Sequence, residues 1–197
     1  MAWPQTSGQN ETARTDAQLL ADGTSGLRIL YERHFDALFR YVAGRVGRQA
    51  AEDVVAETFV IAFSRRAAFD PSHGSALPWL IGIATNLLRS QRRAERKHLA
   101  TEPSRINPRG APDLGLDNTI SRADAVAVRG AVMRAVRRLA PSEREAFLVH
   151  ALAGFEGAEL GAALGVSSSA AAVRLHRART KLRMSLEPTL TGHGGED

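Results

Sequence analysis

Cysteine is absent from the 197 residues of this chain. Its absence excludes disulfides, zinc–thiolate sites and cysteine nucleophiles. The histidines are scattered, and none stands at the spacing of a metal-ligand motif; they are His34, His73, His98, His150, His176 and His193. The sequence therefore predicts neither a metal site nor a bound cofactor.

Long apolar runs are also missing. No segment approaches the roughly 20 apolar residues that a helix needs to cross a bilayer. The polar N-terminus, residues 1–26, lacks the apolar stretch of a signal peptide. No stretch alternates apolar and polar residues over a useful strand length. We therefore expect an all-α protein that stays in the cytoplasm without membrane insertion.

Helical periodicity and helix breakers divide the chain into segments. Residues 1–25 are polar and predict a disordered tail, whereas an apolar helical period extends over residues 26–98. Residues 99–121 are rich in proline and glycine, which predicts a flexible linker. Helices resume over residues 122–187, and residues 188–197 form a polar tail. The expected fold class is all-α, with two small helical domains joined by a flexible linker.

Two local features concern the start of one helix and the roles of two aromatic rings. Ser142 and Glu145 have the spacing of a capping box, which predicts that a helix begins with Ser142 as its cap. Phe69 and Trp79 could each stack on an exposed nucleic-acid base. Because Trp79 lies within an apolar helical pattern, core packing is the favoured interpretation for that ring.

Positive charge is concentrated in residues 61–110, which carry nine basic and three acidic side chains. One predicted helix has basic residues at i, i+3, i+4, i+7 and i+8, so they share a face: Arg89, Arg92, Arg93, Arg96 and Lys97. A face of one sign favours binding to phosphates, although a solubilising helix end has the same composition. Asn86 lies one turn earlier and could contact a base, cap the helix or lie on the surface.

The segment from Leu164 to Leu182 has the pattern of a helix-turn-helix. Gly165 can close one helix, and Ser167 or Ser168 can cap the next. The second helix has an apolar stripe at Ala171, Leu175, Ala178 and Leu182. A separate face carries Arg174, Arg177 and Lys181, and no acidic residue occurs between Glu159 and Glu187. Such a helix fits the major groove of DNA.

Asp53 and Glu57 stand at i and i+4 and therefore share a helix face. Three interpretations remain open for this acidic pair. It could be a solvated surface, a carboxylate pair for acid–base or metal chemistry, or a partner-binding face. No histidine or further acidic motif converges on the pair, which counts against the enzymatic interpretation.

Several motifs occur in an order that resembles a known family. They are Leu30–Phe35, Glu52–Phe59, Phe69–Pro71, Trp79–Asn86 with the basic run that follows, Leu139–Phe147 and Leu164–Leu182. The first four resemble region 2 of the extracytoplasmic-function (ECF) branch of bacterial sigma factors, and the last two resemble region 4. The resemblance covers residues 27–97 and 127–186. It implies a non-enzymatic subunit that directs RNA polymerase to promoters and opens the DNA.

The resemblance also implies a role for individual residues. Region 2 would bind the clamp of the large subunit of core RNA polymerase through Asp53, Val54, Ala56, Glu57, Phe59 and Phe63. It would contact the -10 element of promoter DNA through Asp70, Ser72, His73, Asn86, Arg89, Arg92, Arg93, Arg96 and Lys97. Region 4 would contact the -35 element through Ser168, Ser169, Ala172, Val173, Arg174, His176, Arg177 and Lys181. An anti-sigma factor is the further partner that the resemblance implies.

Some positions depart from the family pattern. Ala56 replaces a usual glutamine, and Gly157 replaces a usual aromatic residue. Ala172 and Val173 stand where longer polar side chains commonly reach the bases. His176 and Arg177 are therefore the expected base-reading residues, with Arg174 on phosphate.

Two other protein classes remain as alternatives. One is a sigma mimic that sequesters an anti-sigma factor, and the other is a two-domain helix-turn-helix repressor. The mimic is favoured slightly by the Ala170–Val173 departures, whereas the basic face of residues 89–97 counts against it. A repressor would bind duplex DNA without polymerase.

Overall fold

The computed structural model describes residues 14–101 and 122–191. Within these ranges the chain forms α-helices and no strand, as the all-α expectation requires. The helices are α1 (Asp16–Ala21), α2 (Thr24–Val46), α3 (Arg48–Ser64), α4 (Leu77–Thr101), α5 (Arg122–Arg138), α6 (Pro141–Ala153), α7 (Gly157–Leu164) and α8 (Ser168–Thr191). Two short 3-10 helices, Arg66–Ala68 and Pro71–His73, lie between α3 and α4. Most of the expected linker, residues 102–121, and residues 1–13 and 192–197 of the expected tails lie outside the described residues.

Helix α1 differs from the disordered tail expected over residues 1–25. Thr15 caps the helix, since its Oγ1 accepts from the Gln18 N–H at 3.3 Å while the Gln18 side chain accepts from the Thr15 N–H at 2.8 Å. Leu19 and Leu20 are buried against the rest of the molecule. The polar composition of the segment therefore concealed a reciprocal cap and two core residues.

Helices α1 to α4 pack around one apolar core, whose fully buried members include Leu30, Leu38, Val42, Val55, Leu80 and Ile81. Helix α3 contributes an apolar stripe at the helical period, so one face is buried and the opposite face is exposed. Phe69 is buried and its ring lies 5.5 Å from that of Trp79. The interpretation of Trp79 as a packing residue is therefore confirmed.

Helix α6 begins earlier than the capping-box prediction placed it. Pro141 is its first residue, and Glu143 Oε2 accepts from the Ala140 N–H at 3.3 Å. Ser142 is thus not the cap, and Glu145 is not the residue that closes the box. The prediction was wrong because proline is favoured in the first helical turn, which moves the helix start back and frees Glu145 for another contact.

Helices α7 and α8 form the expected helix-turn-helix. Gly165 has the left-handed conformation that ends α7, and the Ser167 hydroxyl accepts from the Ala170 N–H at 3.3 Å. Gly161 allows the close approach of the turn, since a Cβ there would lie 2.8 Å from the Val166 carbonyl oxygen. The apolar stripe of α8 is buried as predicted: Ala171, Leu175, Ala178 and Leu182.

The two halves of the molecule pack against each other. Helix α7 lies on α4, and Gly82 permits this approach because a Cβ there would lie 3.2 Å from the Ala163 carbonyl oxygen. Ala146, Val149 and Leu160 from the second half join the core of the first half. The packing brings Glu145 to Arg45, which is completely buried.

Candidate nucleic-acid interfaces

The exposed face of α3 carries the acidic pair. Asp53, Ala56 and Glu57 are all exposed, and Val60, one turn further on, is 68% exposed. Val60 was absent from the residues predicted for this surface. The helical period places Val60 outside the buried stripe, but a single exposed apolar side chain does not by itself indicate a contact surface.

Val54 and Phe59, also predicted to contact the polymerase, lie in the core instead, with 2% and 4% of their surface exposed. The Phe59 ring packs 4.7 Å from the ring of Tyr31. Because both side chains fill the core, neither offers a surface to a partner in this structure. Phe63 is half-buried, and the Arg66 guanidinium lies over its ring at 4.7 Å.

The loop of residues 70–75 is exposed between two fixed ends. Asp70 caps the 3-10 helix Pro71–His73 by accepting from the Ser72 N–H at 2.9 Å, and these hydrogen bonds with Ser72 lower the pKa of Asp70. Asp70, Ser72 and His73 all face solvent, as does Asn86 on α4. Helix α7 contacts the same 3-10 helix. The loop therefore presents polar groups next to the junction of the two halves.

A buried carboxylate lies at the end of this loop. Asp16 Oδ2 accepts from the Ala76 N–H at 2.6 Å and lies 2.7 Å from His34 Nε2, while Arg33 donates to Oδ1 at 2.6 Å. Burial raises the pKa of Asp16, but the hydrogen bonds from His34 and Ala76 outweigh it and lower that pKa to about 2. Asp16 therefore stays ionised at neutral pH. Asp16 is absent from the predicted site residues because it lies in the segment expected to be a tail.

The basic face of α4 is divided between solvent and the junction. Arg93, Arg96 and Lys97 are exposed, whereas Arg92 is half-buried and its Nη2 lies 3.5 Å from the Arg45 carbonyl oxygen. Arg89 Nη2 lies 3.9 Å from the Glu145 carboxylate. Of the five side chains predicted to form one basic face, four, including Arg89, are exposed, and Arg92 is half-buried at the junction.

Between α4 and the second half lies a groove of about 660 Å³ with a strongly basic lining. Its arginines come from both halves of the chain: Arg89, Arg92, Arg93, Arg96, Arg137, Arg144 and Arg174. Arg174, expected on phosphate, is half-buried at this groove. The groove extends the positive surface of α4 toward the helix-turn-helix.

The exposed face of α8 lies opposite its buried stripe. Most of the residues predicted to contact DNA face solvent there: Ser168, Ser169, Ala172, Val173, His176 and Arg177. Lys181 differs, because its Nζ lies 2.8 Å from both carboxylate oxygens of Glu143 and its charge is paired within the protein. The same hydrogen bonds hold the pKa of Glu143 below its usual range.

No helix among the described residues has the length and apolar content to cross a membrane. In the same part of the chain, no group of three or more potential metal-ligating side chains comes together.

Comparison with known proteins shows the family to which this chain belongs. Residues 30–98 match the family described as Sigma-70 region 2, and residues 129–182 match the family described as Sigma-70, region 4. RNA polymerase sigma factor CarQ of Myxococcus xanthus is 31% identical over 158 residues, which span 78% of this chain and 85% of that protein. The chain belongs to the ECF branch of the sigma-70 family.

This sigma factor is also similar to other ECF members. It is 27% identical to ECF RNA polymerase sigma factor SigL of Mycobacterium tuberculosis, over 82% of the chain and 89% of SigL. Among solved structures, CnrH in complex with the cytosolic domain of CnrY matches with a TM-score of 0.58 and 26% identity, over 88% of this chain and 95% of CnrH. RpoE of Bartonella quintana, solved with the anti-sigma factor NepR, has the same fold, with a TM-score of 0.59 and 21% identity. The match covers 80% of this chain and 94% of RpoE.

Membership of this family assigns the molecule to transcription initiation. The ECF sigma factor binds RNA polymerase and promoter DNA, and its family consists in general of non-catalytic regulators.

Proposed function

We propose that this sigma factor recognises its promoters through two separate surfaces. The loop of residues 70–75, Asn86 and the exposed basic residues of α4 contact the -10 element, and the exposed face of α8 contacts the -35 element. The observation that carries the proposal is the division of α8. Its apolar stripe is buried while Ala172, His176 and Arg177 face solvent, and this is the arrangement that a helix in the major groove requires.

The -35 surface of α8 is unusually apolar for a DNA-reading face. Ala172 and Val173 are both exposed, and Val173 has 48% of its surface free. Apolar side chains discriminate bases chiefly through the methyl group of thymine. We therefore expect His176 and Arg177 to supply the hydrogen bonds and Val173 to favour a thymine.

The polymerase-binding surface that we propose is the exposed face of α3, formed by Asp53, Ala56, Glu57 and Val60. It combines two carboxylates with an exposed apolar side chain, and interfaces commonly combine polar groups with an apolar contact in this way. Val54 and Phe59 support this surface from beneath.

We further propose that the sigma factor acts in the cytoplasm with core polymerase, catalyses no reaction itself, and is held inactive by an anti-sigma factor. The structures of CnrH with the cytosolic domain of CnrY and of RpoE with NepR support such a partner.

Transcription in vitro tests the proposal directly. Purified protein, bacterial core polymerase and fragmented genomic DNA are combined, and the 5′ ends of the RNA are sequenced. Discrete start sites that share two upstream elements at a constant spacing are the expected result. Absence of starts, with a core that responds to a control sigma factor, would favour the sigma mimic instead.

Arg177→Ala is expected to weaken binding to the matched promoter by about 1–3 kcal/mol, the range for loss of a bidentate base contact. Arg177 is exposed on α8, so its truncation should leave the fold intact. Affinity of the holoenzyme should be measured on the matched promoter and on promoters with single changes in the -35 element. An unaltered preference among these DNAs would contradict the assignment.

Arg93→Ala is expected to weaken binding on all promoters by a similar factor and to lower the slope of log K against log salt by about 1. The physical reason is that an exposed arginine on a basic helix face neutralises a phosphate and carries no base information. The salt titration should be run beside Arg177→Ala, which serves as the base-reading control. A loss restricted to particular promoter sequences would count against the phosphate role.

A further inference from the structure

We propose that Asp16 is a positioning residue for promoter recognition, because its buried carboxylate fixes the end of the loop 70–75 that is to contact the -10 element. The inference rests on the proposed role of that loop. Asp16 itself has 4% of its surface exposed, which leaves it no surface with which to contact DNA. It acts through Ala76, the residue that joins the loop to α4.

The contact with Ala76 replaces a local helix cap. Ala76 directly precedes α4, and its methyl side chain cannot accept a hydrogen bond from the N–H groups at the helix start. Ser75 Oγ accepts from the Leu77 N–H at 3.2 Å, and Asp16 Oδ2 accepts from the Ala76 N–H at 2.6 Å. A carboxylate 60 residues earlier in the chain thus accepts the hydrogen bond from the N–H at the end of the loop. Its negative charge also stabilises the N-terminus of α4.

Asp16 is itself held from other directions. His34 Nε2 lies 2.7 Å from the oxygen that binds Ala76, and Arg33 donates to the other oxygen at 2.6 Å. Both residues belong to α2, whose neighbouring side chains form the core. The carboxylate therefore transmits the position of α2 to the loop through two charge-assisted contacts, which are the stronger class of hydrogen bond.

The opposite end of the loop is anchored independently. Phe69 is buried and packs against Trp79, so the exposed residues Ser72 and His73 lie between one apolar anchor and one ionic anchor. A binding loop held at both ends loses less conformational entropy when it engages a ligand. Release of the Asp16 anchor should therefore reduce recognition by the loop more than it affects surfaces elsewhere.

The test compares Asp16→Asn with Asp22→Asn in holoenzyme with core polymerase. Asp22 lies at the end of the same helix, is exposed, and pairs with Arg14 rather than with the loop. Asparagine at position 16 places a donating NH₂ among the donors from Arg33, His34 and Ala76. The probe is a DNA duplex with an unpaired non-template -10 strand, in its matched form and with single base changes.

We expect Asp16→Asn to reduce discrimination between matched and changed -10 bases by about tenfold, the effect of one lost charge-assisted contact. Affinity for core polymerase and preference at the -35 element should stay as in the wild type. Asp22→Asn should change none of these readouts. Full -10 discrimination by Asp16→Asn, or an equal loss at both promoter elements, would overturn the inference.

Two additional variants separate the possible failures. Asp16→Glu keeps the charge that His34 and Arg33 bind but displaces the acceptor by one methylene, so it should retain the fold and still lose -10 discrimination. If it discriminates as the wild type does, the inference is overturned even where Asp16→Asn fails to fold. His73→Ala tests the loop itself. If His73→Ala loses discrimination while both Asp16 variants keep it, only the positioning role is refuted. If all three variants discriminate as the wild type does, the role of the loop is refuted as well.

Discussion

Glu145→Ala is expected to destabilise the packing of the two halves by about 3–5 kcal/mol, the cost of leaving a buried charge without its partner. Arg45 is completely buried and binds the Glu145 carboxylate through two hydrogen bonds of 2.6 and 2.8 Å. Burial lowers the pKa of Arg45, but Tyr41 and Glu145 outweigh it and raise that pKa above its usual range. Because an arginine guanidinium stays protonated in proteins, Arg45 remains charged when Glu145 is removed.

The remaining contacts of Arg45 cannot replace the lost carboxylate. Tyr41 accepts a hydrogen bond from Arg45 and is bound in turn to Thr85, with 2.7 Å between the two hydroxyl oxygens. Burial raises the pKa of Tyr41, so the hydroxyl stays neutral. Arg45 Nε has no hydrogen-bond partner among the described protein atoms. A neutral hydroxyl and an unpaired Nε leave the buried positive charge uncompensated.

The prediction is checked by thermal and urea unfolding together with small-angle X-ray scattering of the full chain. Because Arg45 and Glu145 belong to different halves, we expect the variant to become more extended before either half unfolds. The control is the double variant Arg45→Met with Glu145→Leu, which replaces the ion pair by apolar side chains and should retain most of the stability. If Glu145→Ala is as compact and stable as the wild type, the structural role of the ion pair is contradicted.

The parts of the fold that sequence reasoning predicted are those with strong local signals. The helix-turn-helix combined an apolar stripe of helical period, a glycine at the turn and a serine cap, and each signal lies within a few residues of its effect. The buried stripe from Ala171 to Leu182 followed directly. Helical geometry placed Arg174, Arg177 and Lys181 on a separate face, whereas the resemblance to region 4 supplied the other candidate DNA-reading residues.

The ionic contacts had no such signal. Asp16, Arg45 and Glu145 share the helical period of buried apolar neighbours, but charged side chains are almost never fully buried unless paired, so their charge predicts exposure. Their burial depends on partners 60 and 100 residues away in the sequence. No local pattern encodes such a pairing, which arises only when tertiary packing brings the opposite charge close. The same limitation hid the contacts at the junction of the halves, where Arg89 approaches the Glu145 carboxylate and Arg92 approaches a backbone carbonyl oxygen.

Phe59→Ala is expected to lower the free energy of unfolding by about 3–5 kcal/mol, the range for removal of a buried aromatic side chain. Phe59 is 4% exposed and packs against Tyr31, so its contribution is to the core that supports α3. The matched control is its neighbour Val60, which is 68% exposed. Val60→Ser should leave stability almost unchanged and weaken binding to core polymerase, because it removes the apolar part of the proposed interface.

Urea unfolding and polymerase affinity, each measured on both variants, separate the two roles. At temperatures where Phe59→Ala is still folded, it should bind polymerase with wild-type affinity, since no atom of the proposed contact surface has been removed. Weak binding by a fully folded Phe59→Ala, with normal binding by Val60→Ser, would mean that the polymerase contacts the face of α3 that is buried here. Helix α3 would then have to turn its apolar stripe outward in the complex, at the expense of the core that it forms in the free protein.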